Sequence, residues 1–238
     1  MAYSLGAIPD RYDPRDYDFR TLVGVPVAEA AKATDRKMYS MVSPDFRIDQ
    51  GSEGTCVGHG HTNILMAGPT PHKSYLDFQT EDRAHQFARR LYFDATGDST
   101  YQQGAWPRDA CASLVNWGLI DSYWSVPEVE DIVTALLVFG PVGIAVPWYE
   151  SMYYGDSAMA NDYGNYWIKV DFQTRLAGYH WIALTGIDLA PNNGAPRYVR
   201  VQNSWGGGWG WNGTARLTIE NLRLLNIHDN WTFAEKVF

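Results

Sequence analysis

Near residue 140 the apolar pattern changes period, and this change constrains the fold more than any other feature of the chain. Before it, helical spacing dominates. A loop ends at Cys56, and Val57, Ile64, Leu65 and Ala67 continue as a helix stopped by Gly68-Pro69. Tyr75 to Ala95 reads as a long helix with Phe78, Phe87, Leu91 and Tyr92 facing inward. A third helix is predicted from Pro107 to Gly118 and a fourth from Pro127 to Phe139, where Gly140-Pro141 ends it. After that point the runs shorten. Val142 to Val146, Tyr166 to Val170, Trp181 to Ile187, Tyr198 to Gln202 and Ala215 to Ile219 are strand-like and separated by Gly, Pro, Asn and Asp. Helices followed by strands predict an α+β protein in two layers or lobes. The N-terminal region, residues 1–47, is dense in Pro and Asp and predicts an extended strap on the body. Within it Val25 and Val27 are expected to enter a strand, and Ala28 to Lys37 to form a short helix.

The chemistry gathers where the first loop becomes helix. The run Gln50-Gly51-Ser52-Glu53-Gly54-Thr55-Cys56 puts a thiol at a helix N-terminus. There the unpaired backbone N–H groups and the positive end of the macrodipole favour a thiolate. Gln50 is close enough in sequence to swing its amide to the same point, and with the Cys56 N–H it would make an oxyanion hole. A lone Cys is also a good small core residue, and Cys111, within a helical pattern, is read that way. Glu53, three residues before the thiol, is expected to raise its pKa. His180 opens the apolar run His180 to Gly186, and Asn203 opens a turn rich in Gly and Trp. Taken singly, each has a structural reading, as a core histidine and a turn residue.

Twenty-seven acidic against nineteen basic residues, with no basic run, argue against nucleic acid as a partner. With only two cysteines, the fold is not built on disulfides. His59 and His61, two apart on a helix, do not share a face, so no metal is expected. The N-terminus lacks a basic-then-apolar signal, and no window reaches the roughly 18 apolar residues of a membrane span. The expectation is a chain that is cytoplasmic when synthesised.

Taken together, Gln50-Gly51-Ser52-x-Gly54-x-Cys56, His180 before an apolar strand, and Asn203-Ser204-Trp205-Gly206 followed by Gly208-Trp209-Gly210 resemble the papain family of cysteine peptidases. Cys56 and His180 lie 124 residues apart, and Cys56 and Asn203 147 apart, near the roughly 130–150 of that family. The resemblance covers about residues 45 to 220 and implies a papain-like two-lobed α+β fold. A helical lobe over 48–125 would carry the nucleophile, and a β-barrel-like lobe over 126–238 the catalytic His and Asn, with the cleft between them. It further implies Cys56 as nucleophile, His180 as general base and acid, Asn203 as its orienter and Gln50 as oxyanion donor. Cys56 and His180 would form a thiolate–imidazolium pair, and Trp205 would shield the His–Asn hydrogen bond. Substrate would run along Gly104-Ala105 and meet Trp106, Pro107, Ala145 and Trp181, with Trp181 making a shallow pocket. No cofactor is implied.

Only 55 residues precede Cys56, too few for the long inhibitory propeptide of lysosomal relatives. The strap, with Asp13-Pro14-Arg15-Asp16-Tyr17, is similar to that of propeptide-free bacterial or phage members. Such an enzyme needs restraint by narrow specificity, by a protein partner that holds or houses it, or by release only when needed; residence in a virion is one form of this. The expected function is peptide-bond hydrolysis on a peptide or protein substrate. The alternatives are a cell-wall peptide or isopeptide hydrolase, and a catalytically unused structural or peptide-binding component of a larger assembly such as a phage particle.

Overall fold

The computed structural model describes residues 3–11, 13–22, 35–39, 46–68, 78, 80–225 and 230–235. The elements in chain order are α1 (Phe19–Leu22), β1 (Arg36–Met38), α2 (Cys56–Ala67), α3 (Glu81–Thr96), α4 (Pro107–Asn116), β2 (Ile120–Ser125), α5 (Val129–Val138) and β3 (Val142–Tyr149). A 3₁₀ turn at Glu150–Tyr153 leads to α6 (Ser157–Tyr163), β4 (Leu176–Asp188), β5 (Tyr198–Gln202), β6 (Thr214–Thr218), α7 (Ile219–Leu225) and β7 (Asn230–Glu235). The strands form one sheet in the order β2-β7-β3-β4-β5-β6, with β1 also paired to β4.

Local chemistry explains the helix ends. Thr80 caps α3, its hydroxyl accepting from the Arg83 N–H, while Glu81 and Asp82 sit in the first turn, where the macrodipole favours them. Gly97 closes that helix in the left-handed conformation. Pro107 occupies the first turn of α4, where its missing N–H costs nothing. All twelve residues of α2 are buried, so this helix is a core element on every side.

Two apolar cores meet at β4. One gathers α2, α3 and α4 around Ile64, Leu65, Leu91 and Leu114, and the other packs α5 and α7 on the sheet around Ile132, Leu136, Leu184 and Val199. Alternation along β4 feeds both. Trp181 and Ala183 enter the first core, Ile182 and Leu184 the second. Trp181 fits only because its neighbours lack side chains: a Cβ on Gly60 would lie 2.3 Å, and one on Gly143 2.1 Å, from its indole.

Several boundaries differ from the sequence reading. The long helix begins at Glu81 rather than Tyr75; Phe78 is buried but precedes it, and 75–77 lie outside the described residues. Val25, Val27 and 28–34 of the expected short helix also lie outside them, and Arg36–Met38 is a strand because it pairs with Asp188, Ile187 and Gly186. Tyr166 to Val170 is no continuous strand and makes only isolated bridges, Ile168 with Gly155 and Trp167 with Arg216. β2 and β7, neither of them foreseen, pair with each other, and β7 also pairs with β3. Among the described residues no helix is long and apolar enough to cross a membrane.

Gly143→Ala forces a methyl into the Trp181 ring. We expect a loss of about 1–3 kcal/mol of stability, the usual cost of overpacking, read from urea unfolding; an unchanged midpoint would show that the sheet yields freely there.

Candidate active site

Cys56 is the first residue of α2, immediately after Thr55. Gln50 comes back to it through the turn Gly51–Gly54 and is held from both ends. Its Oε1 accepts from Ser204 Oγ at 2.5 Å, and its Nε2 donates to Glu53 O at 2.8 Å and to Ser4 O at 3.3 Å. Backbone pairing across the cleft, Gln50 N–H to Ser204 O at 2.9 Å, ties this turn to the loop after β5.

His180 stands on β4 opposite Val146 of β3, and Asn203 directly follows β5. The His180 Nε2 lies 2.7 Å from Asn203 Oδ1, and the Ser204 N–H donates to the same oxygen at 2.8 Å. With that oxygen accepting, Nε2 carries the ring proton and Nδ1 keeps its lone pair. Nδ1 has no hydrogen-bond partner among the described residues. Trp205 stacks on the His180 ring at 4.6 Å, and Trp148 meets it edge-on at 5.0 Å. The structure therefore brings Gln50, His180, Asn203 and Trp205 into one cluster beside the N-terminus of α2.

The remaining residues expected around substrate are distributed differently. Gly104, with φ at +81°, and Ala105 lie just before α4, and the Trp106 side chain is exposed beside the buried Pro107. Ala145 and Trp181 are register partners on β3 and β4 and are both buried on the helical side. The Trp181 indole stacks on His61 at 4.9 Å, so it is spent on core packing rather than on the wall of an open pocket. Strand alternation is the reason: the neighbour of His180 must face the other way.

Electrostatics also depart from expectation. Cys56 and His180 are both fully buried. Burial pushes the Cys56 thiol up to about 12, against the opposing pull of N–H groups on Trp181 and Gly6, and pushes His180 down to about 4, against its bond to Asn203. Burial thus favours the neutral form of both the Cys56 thiol and the His180 imidazole. Glu53 is not the cause. Its carboxylate pairs with Arg89 at 3.2 Å, and the perturbation of Cys56 comes from burial first.

Sequence reading missed the part played by Ser204, Trp148 and Ser4. Ser204 was visible as the neighbour of Asn203, but that it orients Gln50 depends on a contact across 154 positions. A Cys–His contact elsewhere was also unforeseen: His61 Nε2 lies 3.2 Å from Cys111 Sγ, with His61 Nδ1 on Val57 O at 2.8 Å. His59 bonds Thr55 O and His85 instead, and among the described residues no group of His, Cys, Asp or Glu could hold a metal.

The sequence model described as papain family cysteine protease matches residues 73–234, more than half of the chain. The chain belongs to the papain family of cysteine proteases. The matched span contains His180 and Asn203, and Gln50 and Cys56 precede it. No curated protein matches the sequence. Among solved structures, xylellain, a cysteine protease from Xylella fastidiosa, is similar at a TM-score of 0.72 and 17% identity, over 99% of this chain and 97% of that one. Procathepsin B S9 from Trypanosoma congolense gives 0.60 and 13% over 98% and 87%. Bromelain from Ananas comosus, in complex with the E64 inhibitor, gives 0.57 and 15% over 94% and 100%. At these identities they establish the papain-like, two-lobed α+β fold.

The buried histidines have a consequence for stability. Burial holds His59 near 3, and His61 and His180 near 4, whereas an unfolded histidine titrates at about 6.5. Between those values the unfolded chain binds protons that the folded one refuses, so stability falls as pH falls. Asp10, pushed up to about 6 by burial, offsets part of this. Thermal midpoints should drop from pH 7 to pH 5, and His61→Asn should flatten the slope by up to about 1.4 kcal/mol per pH unit; identical slopes in the two proteins would refute the assignment.

Proposed function

We propose that this papain-family protein is a peptidase that hydrolyses peptide bonds through Cys56, His180 and Asn203. The observation that carries the reading is the His180 ring, whose proton is fixed on the Asn203 side so that Nδ1 is left as an unpartnered base. In the reaction, Cys56 Sγ attacks the scissile carbonyl and passes its proton to His180. The tetrahedral oxyanion takes hydrogen bonds from the Cys56 N–H and from Gln50 Nε2, once that amide turns from its present acceptors. Collapse breaks the C–N bond, and His180 gives its proton to the leaving amine, which leaves a thioester. His180 then deprotonates a water that attacks the thioester; the acid departs and the thiol is restored. The substrate is a peptide or protein segment, taken as an extended strand beside Gly104 and Ala105.

The 3.2 Å contact between Cys111 and His61 favours a second reading, with that pair as the dyad. We favour Cys56 because it has the helix N-terminus and an amide donor held nearby by Ser204. Cys111 sits within α4, buried among apolar residues, and burial raises its thiol well above the ordinary range. Reaching that thiol would require parting α2 from α4, which carry His61 and Cys111.

Cleavage of a mixed peptide library, read by mass spectrometry, separates the two. Cys56→Ala and His180→Ala should abolish cleavage, Gln50→Ala should lower kcat by about 10²–10³, and Cys111→Ala should leave the cleavage pattern intact. Loss with Cys111→Ala and retention with Cys56→Ala would transfer the role to the buried pair.

A further inference from the structure

Strands β5 and β6 place two arginines directly opposite one another, Arg200 and Arg216. Like charges in facing register positions destabilise a sheet unless something offsets the repulsion. Among the described residues no carboxylate pairs with either. Arg200 gives its Nε to Thr185 Oγ1 at 3.1 Å and its Nη2 to the carbonyls of Tyr39 and, at 3.1 Å, of Thr185. Its Nη1 has no hydrogen-bond partner among the described residues. Arg216 lies over the rings of Tyr198, at 4.4 Å, and Trp167, at 5.3 Å. The Asn165 amide oxygen, turned toward it, accepts from Nη1 at 3.2 Å and from Nη2 at 2.9 Å. These partners fix both guanidiniums without cancelling their charge. The two border a cavity of about 270 Å³, large against the roughly 10–15 Å³ that one water needs. Tyr166, Tyr198 and Trp211 line it too, and Trp211 is 63% exposed, with no ring contact among the described residues. None of the lining residues belongs to the cluster of Gln50, Cys56, His180 and Asn203.

We propose that this cavity is a second binding site, for a small molecule that carries a phosphate monoester on a flat ring. The oxyanion lies between Arg200 and Arg216 and relieves their repulsion. Arginine suits this task, because the planar guanidinium presents its N–H groups as a fork to two oxygens at once. Charge selects the class of anion. Arg36, which also lines the cavity, is answered by Asp188 at 3.2 Å, so the uncompensated charge is that of two guanidiniums. A phosphate monoester brings about −1.5 to −2 at pH 7, where a carboxylate or a sulfate ester brings only one negative charge. Burial and the charge of Arg47 both lower the Arg200 pKa, and an anion beside that guanidinium opposes both effects. The ring of the ligand stacks on the open face of Trp211, an arrangement that indoles favour. Because the arginines are already held by Thr185, Tyr39, Asn165 and two rings, little side-chain freedom is lost on binding. The site stands whether or not the chain is a peptidase.

Isothermal titration calorimetry of the full chain at low ionic strength, where charges are least screened, tests this with four probes: phenyl phosphate, phenyl sulfate, inorganic phosphate and phenol. Phenyl phosphate should bind at one site with a Kd of about 1 mM or below. Phenyl sulfate and inorganic phosphate should bind more weakly, and phenol not at all. Arg216→Gln should weaken phenyl phosphate at least tenfold, whereas Trp211→Ala should weaken phenyl phosphate and leave inorganic phosphate unchanged. No heat with phenyl phosphate, or equal affinity in wild type and Arg216→Gln, would overturn the site. Equal affinity for phenyl sulfate would overturn the choice of phosphate. Should Arg216→Gln fail to fold by circular dichroism, nuclear magnetic resonance of the wild type decides. Trp211→Phe, at an exposed position, identifies the Trp211 indole N–H signal. That signal should move on addition of phenyl phosphate and stay in place with phenol; a signal that phenyl phosphate leaves unmoved would refute the proposal.

Discussion

Much of this molecule depends on the register of β4. Its thirteen residues pair with β3 and, beyond the end of β3, with β1 on one edge and with β5 on the other, and its alternating side chains supply both hydrophobic cores. A strand shared in this way has little freedom, because a slip by one residue would exchange Trp181 and Ala183 with Ile182 and Leu184. The same register aims His180. It stands opposite Val146, with Trp148 and Trp205 against its ring and Asn203 one residue beyond the neighbouring strand. The histidine is thus positioned by the packing of the whole sheet, and the hydrogen bond to Asn203 has only to choose the tautomer.

Burial governs the electrostatics of the closed site. Hydrogen bonds from the N–H groups of Trp181, Gly6, Val57 and Cys56 lower the Cys56 pKa, but they are outweighed when water is removed from around the sulfur. The same removal discharges His180. The two effects reinforce one another: a neutral imidazole offers the thiol no positive charge, and a neutral thiol offers the imidazole no negative one. A charged pair would need water around both groups. The segment Tyr3 to Ile8 contributes to that burial, with the Gly6 N–H turned to the sulfur.

Sequence alone gave a good account of elements whose signals are local. β5 was read with its observed limits, and α2 within one residue, because a run of apolar residues between turn formers defines the first and Gly68-Pro69 stops the second. What failed was non-local. β2 and β7 support one another from positions more than a hundred residues apart, and neither carries a pattern strong enough to stand alone. Tyr166 to Val170 has strand-like composition but finds only bridging partners. The motif residues of the site could be gathered from spacing and resemblance, whereas the link from Ser204 to Gln50 and the course of Tyr3 to Ile8 are set by contacts that no spacing reveals. Trp181 is different, because period-two alternation already places it opposite His180 and so away from an open cleft.

The contact of Cys111 with His61 shows how little proximity decides by itself. Cys111 and His61 are close enough for the thiol to donate to Nε2, and the bond from His61 Nδ1 to Val57 O fixes the tautomer that permits it. Yet both side chains sit inside the helical core under the Trp181 ring, with α2 and α4 packed around them. Exposing them would require opening that core. Cys56 is as fully buried, but its cover on one side is the extended segment Tyr3 to Ile8, held through a handful of hydrogen bonds and one aromatic stack. The two thiols thus differ in what must move to reach them: a helix pair in the first case, the segment Tyr3 to Ile8 in the second.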